Sequence, residues 1–280
     1  MKKYMILLFG FLCIGIDINS CGDKESYLTS PIYNPENNYD VIALILKASG
    51  SSGCSNNDVS VFVKEGDGYF RNAIVTINDD LLSVDEDTMM SPEYSSDSII
   101  YDDNTEYSLK ITLFDEIIAS GNVTMPTTPK VTNIDSGYNH SLDKKLKVKW
   151  EPVKHATSLE LLTNHYSSGL LKPTVTEYII PDTVFQEFGE YYISIIAYNG
   201  INPNFDFGNY DTEDLEKGYN IQGATGIFVA ANVWSGGDGF VIINDPAGIK
   251  SVRDRKSDYS VELEEILEKR IIEYLKKKKI

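Results

Sequence analysis

Alternation of apolar and polar side chains at every second position is the pattern that most constrains how this chain can fold. It is clearest in TEYSLKITLF, residues 105–114. The apolar members are Tyr107, Leu109, Ile111 and Leu113, and the polar ones are Glu106, Ser108, Lys110 and Thr112. Successive side chains of a strand point to opposite faces, so this pattern predicts a half-buried antiparallel strand with one solvated face.

Further strand patterns surround this one and predict a first domain. VIALILKA at 41–48 is a short apolar run, and apolar residues recur at every second position after it. They are Val59, Val61, Val63, Ala73, Val75 and Ile77. Turn-forming clusters such as KEGDGY, INDD and YDDNTEY separate the strands. We therefore expect an Ig-like β-sandwich over residues 40–126, followed by a stiff connector in the proline-containing MPTTPK.

A second domain is indicated by two patterned segments. In KLKVKWEP, residues 145–152, Leu146, Val148 and Trp150 share one face. This predicts a sandwich strand with a buried tryptophan. In FQEFGEYYISIIAYNG, residues 185–200, the turn before Tyr191 has the geometry of a tyrosine corner, in which the tyrosine hydroxyl bonds back to upstream backbone. Tyr191, Ile193, Ile195 and Ala197 share a face in this strand.

These segments resemble the fibronectin type III family. Its second strand carries an alternating apolar pattern with Trp and a nearby Pro, here Trp150 and Pro152, and its sixth strand is similar to YYISIIAYN. Leu159 stands where the third strand of the family usually has a tyrosine. The resemblance implies a fibronectin type III-like sandwich over residues 127–245. The expected fold class is all-β, with two tandem antiparallel β-sandwiches and a C-terminal α-helix.

A long insertion interrupts the second domain at residues 200–219. It far exceeds the median loop length of about 4–6 residues, and long loops often carry function. Its aromatic residues and one nearby tryptophan are candidate ligand-binding residues. They are Phe205, Phe207, Tyr210 and Trp234. They could form stacking platforms for a glycan, or the loop could pack on its own side chains.

The first 20 residues have the features of a secretory signal peptide. Lys2 and Lys3 precede an apolar run from Ile6 to Ile16, which is eleven residues long. A membrane-spanning helix needs about 20 apolar residues, so this run is too short to span a bilayer. A basic start, a short apolar middle and small polar residues before a cut site predict export.

Cys21 is the expected site of lipid attachment. Ile18, Asn19, Ser20 and Cys21 resemble a bacterial lipobox, in which the cysteine becomes the first mature residue and carries the acyl chains. Asn19 and the nearby charge of Asp17 depart from the usual pattern, and such relaxed lipoboxes occur in Bacteroidota and spirochaetes. Asp-Lys-Glu at 23–25 is similar to the surface-export signals of Bacteroidota lipoproteins. Residues 21–39 then form a lipidated N-terminus and polar tether. The alternative is ordinary signal peptidase cleavage, with Cys21 incidental.

The number of cysteines fits the lipid interpretation. Cys13 leaves with the signal peptide and Cys21 is acylated, so Cys54 remains alone. A secreted domain stapled by disulfides usually has an even set. If Cys21 were free, a bridge between Cys21 and Cys54 would become available. Cys54 lies in a Gly/Ser/Asn-rich turn, where an incidental thiol is more common than a nucleophile.

Residues 246–280 are predicted to form a linker and an amphipathic helix. Apolar residues recur there at helical spacing: Leu263, Ile266, Leu267, Ile271, Tyr274 and Leu275. Ser260 is a suitable N-cap, and acidic residues precede basic ones along the axis. Either the helix packs its stripe on the second domain or frays in solvent, or its lysine-rich end touches anionic lipid or a partner.

Charge and motifs exclude several function classes. The net charge of −17 repels phosphate backbones, and no basic patch with interleaved aromatics opposes this, so no nucleic-acid partner is expected. His140, His155 and His165 match no zinc spacing, and nucleophile-elbow and phosphate-loop motifs are missing from the sequence. The acidic stretches at 84–88 and 101–107 lack EF-hand spacing and are interpreted as solvated turns. We expect no enzymatic activity, metal or cofactor.

These inferences favour a non-catalytic lipoprotein of the bacterial outer membrane, exposed at the cell surface and acting as a binding or scaffold module. NIQGATGIFVAANV at 220–233 resembles part of a Bacteroidota lipoprotein family found beside TonB-dependent receptors. That resemblance implies an outer-membrane receptor as protein partner. The alternative is a glycan-binding lipoprotein that uses the aromatic residues of the insertion.

Overall fold

The computed structural model describes residues 39–50, 56–65, 68–85, 93–96, 98–135, 137–164, 166–201 and 220–243. Within these ranges the chain forms strands and one short 3-10 helix, Asp182–Val184. The strands of the first half are β1 Tyr39–Gly50, β2 Asn56–Glu65, β3 Gly68–Tyr69, β4 Ile74–Ile77, β5 Asp80–Leu81, β6 Ser83–Asp85, β7 Glu93–Ser95, β8 Glu106–Leu113 and β9 Glu116–Thr124. Those of the second half are β10 Tyr138–His140, β11 Leu146–Lys149, β12 Ser158–Thr163, β13 Tyr166–Leu171, β14 Glu177–Ile180, β15 Gly189–Asn199 and β16 Thr225–Ile243.

One large sheet runs through both halves of the chain. Its strand order is β13-β12-β15-β16-β1-β2-β7-β6, with β10 paired to β16 and β3 paired to β2. The centre of this sheet is the parallel pairing of β1 with β16, in register from Asp40 and Thr225 to Gly50 and Ser235. The first and last described strands of the chain are therefore neighbours.

The first sandwich is closed by a four-stranded sheet of order β5-β4-β8-β9. The core between the two layers takes side chains from β1 and β2 on one side and from β4, β8 and β9 on the other. β8 alternates exposed and buried positions as its sequence predicted. Phe228 and Ala230 of β16 also belong to this core, so a strand from the end of the chain completes it.

The second sandwich packs the two-stranded sheet of β11 and β14 against β12, β15 and the end of β16. Trp150 is buried in its core, as predicted, together with Val241 and Ile243 of β16. The Tyr191 hydroxyl donates to the Glu187 carbonyl oxygen at 3.0 Å, which confirms the tyrosine corner. The predicted inward face of β15 is buried, and its opposite face is buried as well, because β15 is an interior strand of the large sheet.

The expected all-β class and sandwich arrangement are confirmed. The structure adds that β16 supplies side chains to both cores, and that β1 and β10 each pair with it in parallel within an otherwise antiparallel set. The boundaries at 126/127 and 245/246 stay predictions. The leader, all of the tether except Tyr39, which begins β1, the C-terminal helix and all but the first two residues of the insertion lie outside the described residues.

Gly226 makes the close parallel approach of β1 and β16 sterically feasible. It pairs with Val41 and has a φ of +122°, a conformation that side chains with a Cβ rarely adopt. A Cβ at this position would lie 1.8 Å from the Val41 carbonyl oxygen, which is backbone and cannot rotate away. The beginning of the pairing therefore requires glycine.

We expect Gly226→Ala to lower the free energy of unfolding by about 3 kcal/mol or more, because backbone strain adds to a backbone clash. Gly169→Ala is the matched control, since Gly169 also has a positive φ, +67°, but has no atom within 4 Å of an added Cβ. It should cost only about 1 kcal/mol. Urea unfolding of the three proteins measures both values, and equal losses would contradict this role of Gly226.

Candidate protein-binding face

Large apolar side chains stand exposed on the outer face of the four-stranded sheet and at its hairpin tip. Ile74 is 53% exposed, Leu81 67%, Phe114 76% and Ile117 60%. We call these four residues the outer apolar patch. Thr112 pairs with Ile74 on one side and with Ile117 on the other. The two isoleucines therefore lie roughly 10 Å apart across the outer face, two strand spacings, with Phe114 just beyond Thr112.

The position of Phe114 is unusual for a phenylalanine. Phe114 and Asp115 form the two-residue loop between β8 and β9, with φ values of 50° and 64°. This is the left-handed pair of a type I′ hairpin, which favours Asn and Gly. The β4–β5 hairpin uses Asn78 and Asp79 for the same conformation. A bulky side chain at positive φ costs about 1 kcal/mol or more, and here it is also largely exposed.

Acidic residues surround the patch. Asp115 and Glu116 follow Phe114, and Asp79 and Asp80 precede Leu81, all of them exposed. Lys110 is exposed on the same outer face, paired with Thr76. An apolar centre with a charged rim is the usual composition of a protein-binding surface. The rim here favours a partner with positive charge at the corresponding positions.

A polar cluster joins the two sandwiches on the inner face of the large sheet. Asn232 is fully buried, and its Nδ2 donates to the Pro126 carbonyl oxygen at 2.8 Å and to Asp103 Oδ1 at 2.9 Å. Lys47 Nζ lies 2.6 Å from the same Asp103 oxygen, and the Thr128 amide donates to the other one at 2.7 Å. Four chain segments therefore meet at Asp103, where the connector leaves the first sandwich.

The Asp103 carboxylate is held in its charged form by this cluster. Burial acts to raise the pKa of Asp103, but the hydrogen bonds from Lys47 and Thr128 outweigh it, so the pKa lies below the ordinary value. The carboxylate thus contributes stability that is complete above the pKa of the unfolded chain, about 3.9. That stability is lost as the pH falls through the lower folded-state pKa.

Asp103→Asn should lower the free energy of unfolding at neutral pH by about 1 kcal/mol, a modest value because solvent screens this half-buried pair. The difference from wild type should shrink as the pH falls below about 5, because the wild-type carboxylate is protonated first in the unfolded chain and, at lower pH, in the folded protein. Asp102→Asn, at the exposed neighbouring position, is the control and should leave the free energy of unfolding at neutral pH nearly unchanged. Denaturant titrations across this pH range provide the measurement, and a difference that stays constant would contradict the role of Asp103.

Of the residues predicted from the sequence as ligand-binding, Trp234 lies among the described ones. It is half-buried in β16, opposite Ile195 of β15 and Ser49 of β1. Phe205, Phe207 and Tyr210 lie outside the described residues, as do Cys21 and Cys54. The four aromatic residues therefore stay a prediction.

The histidines and acidic stretches for which the sequence predicted no functional role are placed as follows. His140 Nε2 lies 2.9 Å from the Lys144 carbonyl oxygen, His155 is exposed, and His165 lies outside the described residues. Asp103, from one of the acidic stretches, is engaged in the polar cluster. Within the parts of the chain that the structure describes, three or more His, Cys, Asp or Glu side chains are nowhere grouped so that they could hold a metal ion.

Sequence reasoning missed the outer apolar patch. The signal was present: Phe-Asp occupies the only gap between two strong strand patterns, LKITL and EIIAS, where Asn-Gly would be expected. The sequence does not predict that Ile74 and Ile117 are exposed. Each lies next to other apolar residues, so whether its side chain faces the core or solvent depends on the register of its strand.

Comparison with solved structures finds similarity to modular β-sandwich proteins. The fibronectin(III)-like modules of Clostridium thermocellum CbhA match with 14% identity over 42% of this chain and 96% of theirs, at a TM-score of 0.24. The FN1–FN3 domains of chicken CNTN1 match with 10% identity over 68% and 66%, at 0.26. Titin A168–A169 matches with 11% identity over 67% and 90%, at 0.20. Identities and TM-scores this low carry no inference about ligand or activity.

No protein-family model matches the chain, and no curated protein does. Among the described residues there is no helix with the length and apolar character needed to cross a bilayer.

Proposed function

We propose that this protein is a non-catalytic binding module, anchored by a lipid on Cys21 to the outer membrane, that engages a protein partner through the outer apolar patch. The observation that carries the proposal is Phe114, an exposed aromatic at a hairpin position that disfavours it. Positions that break a local folding rule without a structural gain are expected at functional sites.

The composition of the patch suits protein recognition. Aromatic residues dominate the binding energy of protein interfaces, where one central anchor often enters a pocket on the partner. Phe114 has this role here, and Ile74 and Ile117 supply flat apolar area beside it. The acidic rim excludes anionic partners and supports a partner pocket lined by apolar groups and edged by Lys or Arg.

The scaffold beneath the patch supports binding without rearrangement. β4 and β8 are packed on the first core through Val75, Ile77 and Ile111, all fully buried. β16 ties that core to the second sandwich. A face held on rigid strands loses little conformational entropy on association, which favours affinity. The resemblance at residues 220–233 makes an outer-membrane receptor of the TonB-dependent type the first partner to test.

The patch is tested by Phe114→Asn. Asparagine suits the positive φ of the turn, so the free energy of unfolding should rise by about 0.5–1 kcal/mol. Loss of an aromatic anchor typically costs about 2 kcal/mol or more, so partner affinity should fall at least about tenfold. Opposite changes in stability and binding distinguish an anchor from a packing residue.

The matched control is Phe188→Asn, since Phe188 is an exposed phenylalanine outside the patch. Purified wild-type and variant proteins would be cross-linked to outer-membrane preparations, and the captured receptors quantified by mass spectrometry. A single envelope protein retained by wild type and by Phe188→Asn, and lost with Phe114→Asn, supports the proposal. Equal capture by all three proteins would contradict it.

Glycan binding is the alternative function. The same preparations can be assayed for glycan retention, with alanine at Phe205, Phe207 and Tyr210 as the informative variant. Lost glycan retention at unchanged thermal stability would favour this alternative over the protein partner. Loss of thermal stability would instead indicate that these aromatic residues pack within their loop.

Anchoring is proposed to depend on acyl chains at Cys21. One chain gives marginal attachment, whereas two or more, at about 0.8 kcal/mol per buried methylene, hold a protein on the membrane almost permanently. Cys21→Ser should therefore move the protein from the membrane fraction to the aqueous fraction. Protease treatment of intact cells should degrade the wild-type protein if it faces outward. Retention of Cys21→Ser in the membrane fraction would rule out the lipid anchor.

A further inference from the structure

The outer face of the small β11–β14 sheet is basic, although the protein is acidic overall. The chain carries 42 acidic and 25 basic residues, yet three exposed lysines follow one another here at every second position. We call these lysines, with one isoleucine of β14, the basic face. Its members are Lys145, Lys147, Lys149 and Ile179. The positions between the lysines are buried in the second core, so the lysines share the outward face.

Ile179 lies in the middle of the basic face. It pairs with Lys147 across the two strands and is 53% exposed. Lys145 and Lys149 lie about 13 Å apart at 3.3 Å per residue, one on each side of Lys147. The basic face is therefore an exposed apolar side chain edged by positive charge.

The positive charge of the basic face acts on the carboxylate beside it. Lys147 Nζ lies 2.7 Å from Glu177 Oε1, and Glu177 pairs with Lys149 across the strands. The hydrogen bond from Lys147, with the charges of Lys147 and Lys149, holds the pKa of Glu177 below its ordinary value. Lysines about 7 Å apart on one strand face repel one another. The row therefore does not serve the fold, and it suits an anionic partner.

The outer apolar patch of the first sandwich has the reverse composition. Its apolar side chains are edged by exposed carboxylates from two hairpins. These are Asp79, Asp80, Asp115 and Glu116. Each surface also includes the opposite sign, with Lys110 on the face of the patch and Glu177 beside Ile179. The two surfaces are therefore complementary in charge around apolar centres.

We propose that the outer apolar patch of one copy docks on the basic face of a second copy. Phe114 of one copy then packs beside Ile179 of the other, and carboxylates meet lysines around them. Two patches, or two basic faces, would bring like charges together, so the copies meet head to tail. The inference rests on the proposed function in taking the patch as a binding surface, but the basic face has no part in that function. A docked copy covers Phe114 and competes with the receptor.

The two surfaces cannot meet within one molecule. Ala230 and Asn232 point to the same side of β16, since they are two residues apart. Ala230 lies in the first core, and Asn232 pairs with Ala197 of the second core. Both small sheets therefore cover the same side of the large sheet, and their outer faces are turned away from it rather than towards each other. The patch that reaches the basic face must belong to another copy.

Self-association is tested by sedimentation velocity on the whole chain carrying Cys21→Ser, with reductant present, which removes the predicted lipid site and leaves both surfaces unchanged. At about 0.1 mM, a concentration suited to micromolar interfaces, the mass should rise above that of the monomer as concentration increases. Raising the salt from about 0.05 M to about 0.5 M should restore the monomer, because salt screens the charges around the contact. A monomer at about 0.1 mM and low salt would overturn the proposal.

Two variants of this protein identify the surfaces. Lys149→Glu reverses a charge of the basic face and Phe114→Asn removes the centre of the patch, both at exposed positions. Each should weaken self-association at least about tenfold. An equimolar mixture should recover a 1:1 dimer, because the intact patch of one variant meets the intact basic face of the other. Lys172→Glu, an equal charge change at an exposed position outside the basic face, is the matched control and should associate like wild type. A mixture as monomeric as each variant alone would overturn head-to-tail docking.

Receptor capture separates this inference from the proposed function. Lys149→Glu leaves the patch unchanged, so it should lose self-association and still capture the envelope protein that Phe114→Asn loses. If Lys149→Glu associates like wild type, this inference fails while the proposed function stands. If the variants associate as expected but no envelope protein is captured, the proposed receptor fails and the second copy stands as the partner of the patch.

Discussion

The parallel pairing of β1 and β16 is the interaction on which the rest of this architecture depends. It joins segments about 180 residues apart in the chain through eleven register pairs. A sandwich made only of residues 40–126 would lack Phe228 and Ala230 from its core, and its edge strand β1 would be unpaired on one side. Burying that edge removes exposed backbone donors and acceptors that would otherwise template association with another chain. The two sandwiches therefore form one body that shares a sheet.

The polar cluster around Asp103 adds hydrogen bonds, which depend on direction, to the apolar packing between the two sandwiches, which does not. Asn232 reaches the connector at Pro126 and the first sandwich at Asp103, and Asp103 in turn holds Lys47 of β1. Apolar cores tolerate small rotations, but a buried amide and a half-buried carboxylate lose their hydrogen bonds when their partners move. The cluster thus defines one relative orientation of the sandwiches.

The candidate binding face differs from the site that loop length alone would suggest. Long insertions are frequent functional sites, yet Phe114, the most exposed of the large apolar side chains that the structure describes, lies on a two-residue hairpin. A tight turn between paired strands holds its side chains far more rigidly than a long loop does. Phe114 accepts an unfavourable backbone conformation and remains exposed, whereas Asn78 serves the equivalent turn at no such cost. The contrast between these two hairpins of the same sheet identifies Phe114 as the unusual residue.

The spacing of apolar residues in the sequence by itself determined several features of this fold. The strands around Leu109, Val148 and Ile193 and the buried Trp150 follow from which residue types recur at a spacing of two, because alternation is a property of each strand alone. The tyrosine corner at Tyr191 follows from the turn that precedes its strand. Only the tertiary structure decided that β16 pairs in parallel with β1, that Gly226 lies against Val41, and that Ile74 and Ile117 face outward beside Phe114. Those facts depend on register between distant segments. Local composition does not encode register, since sliding one strand by a single residue keeps its pattern but exchanges its faces.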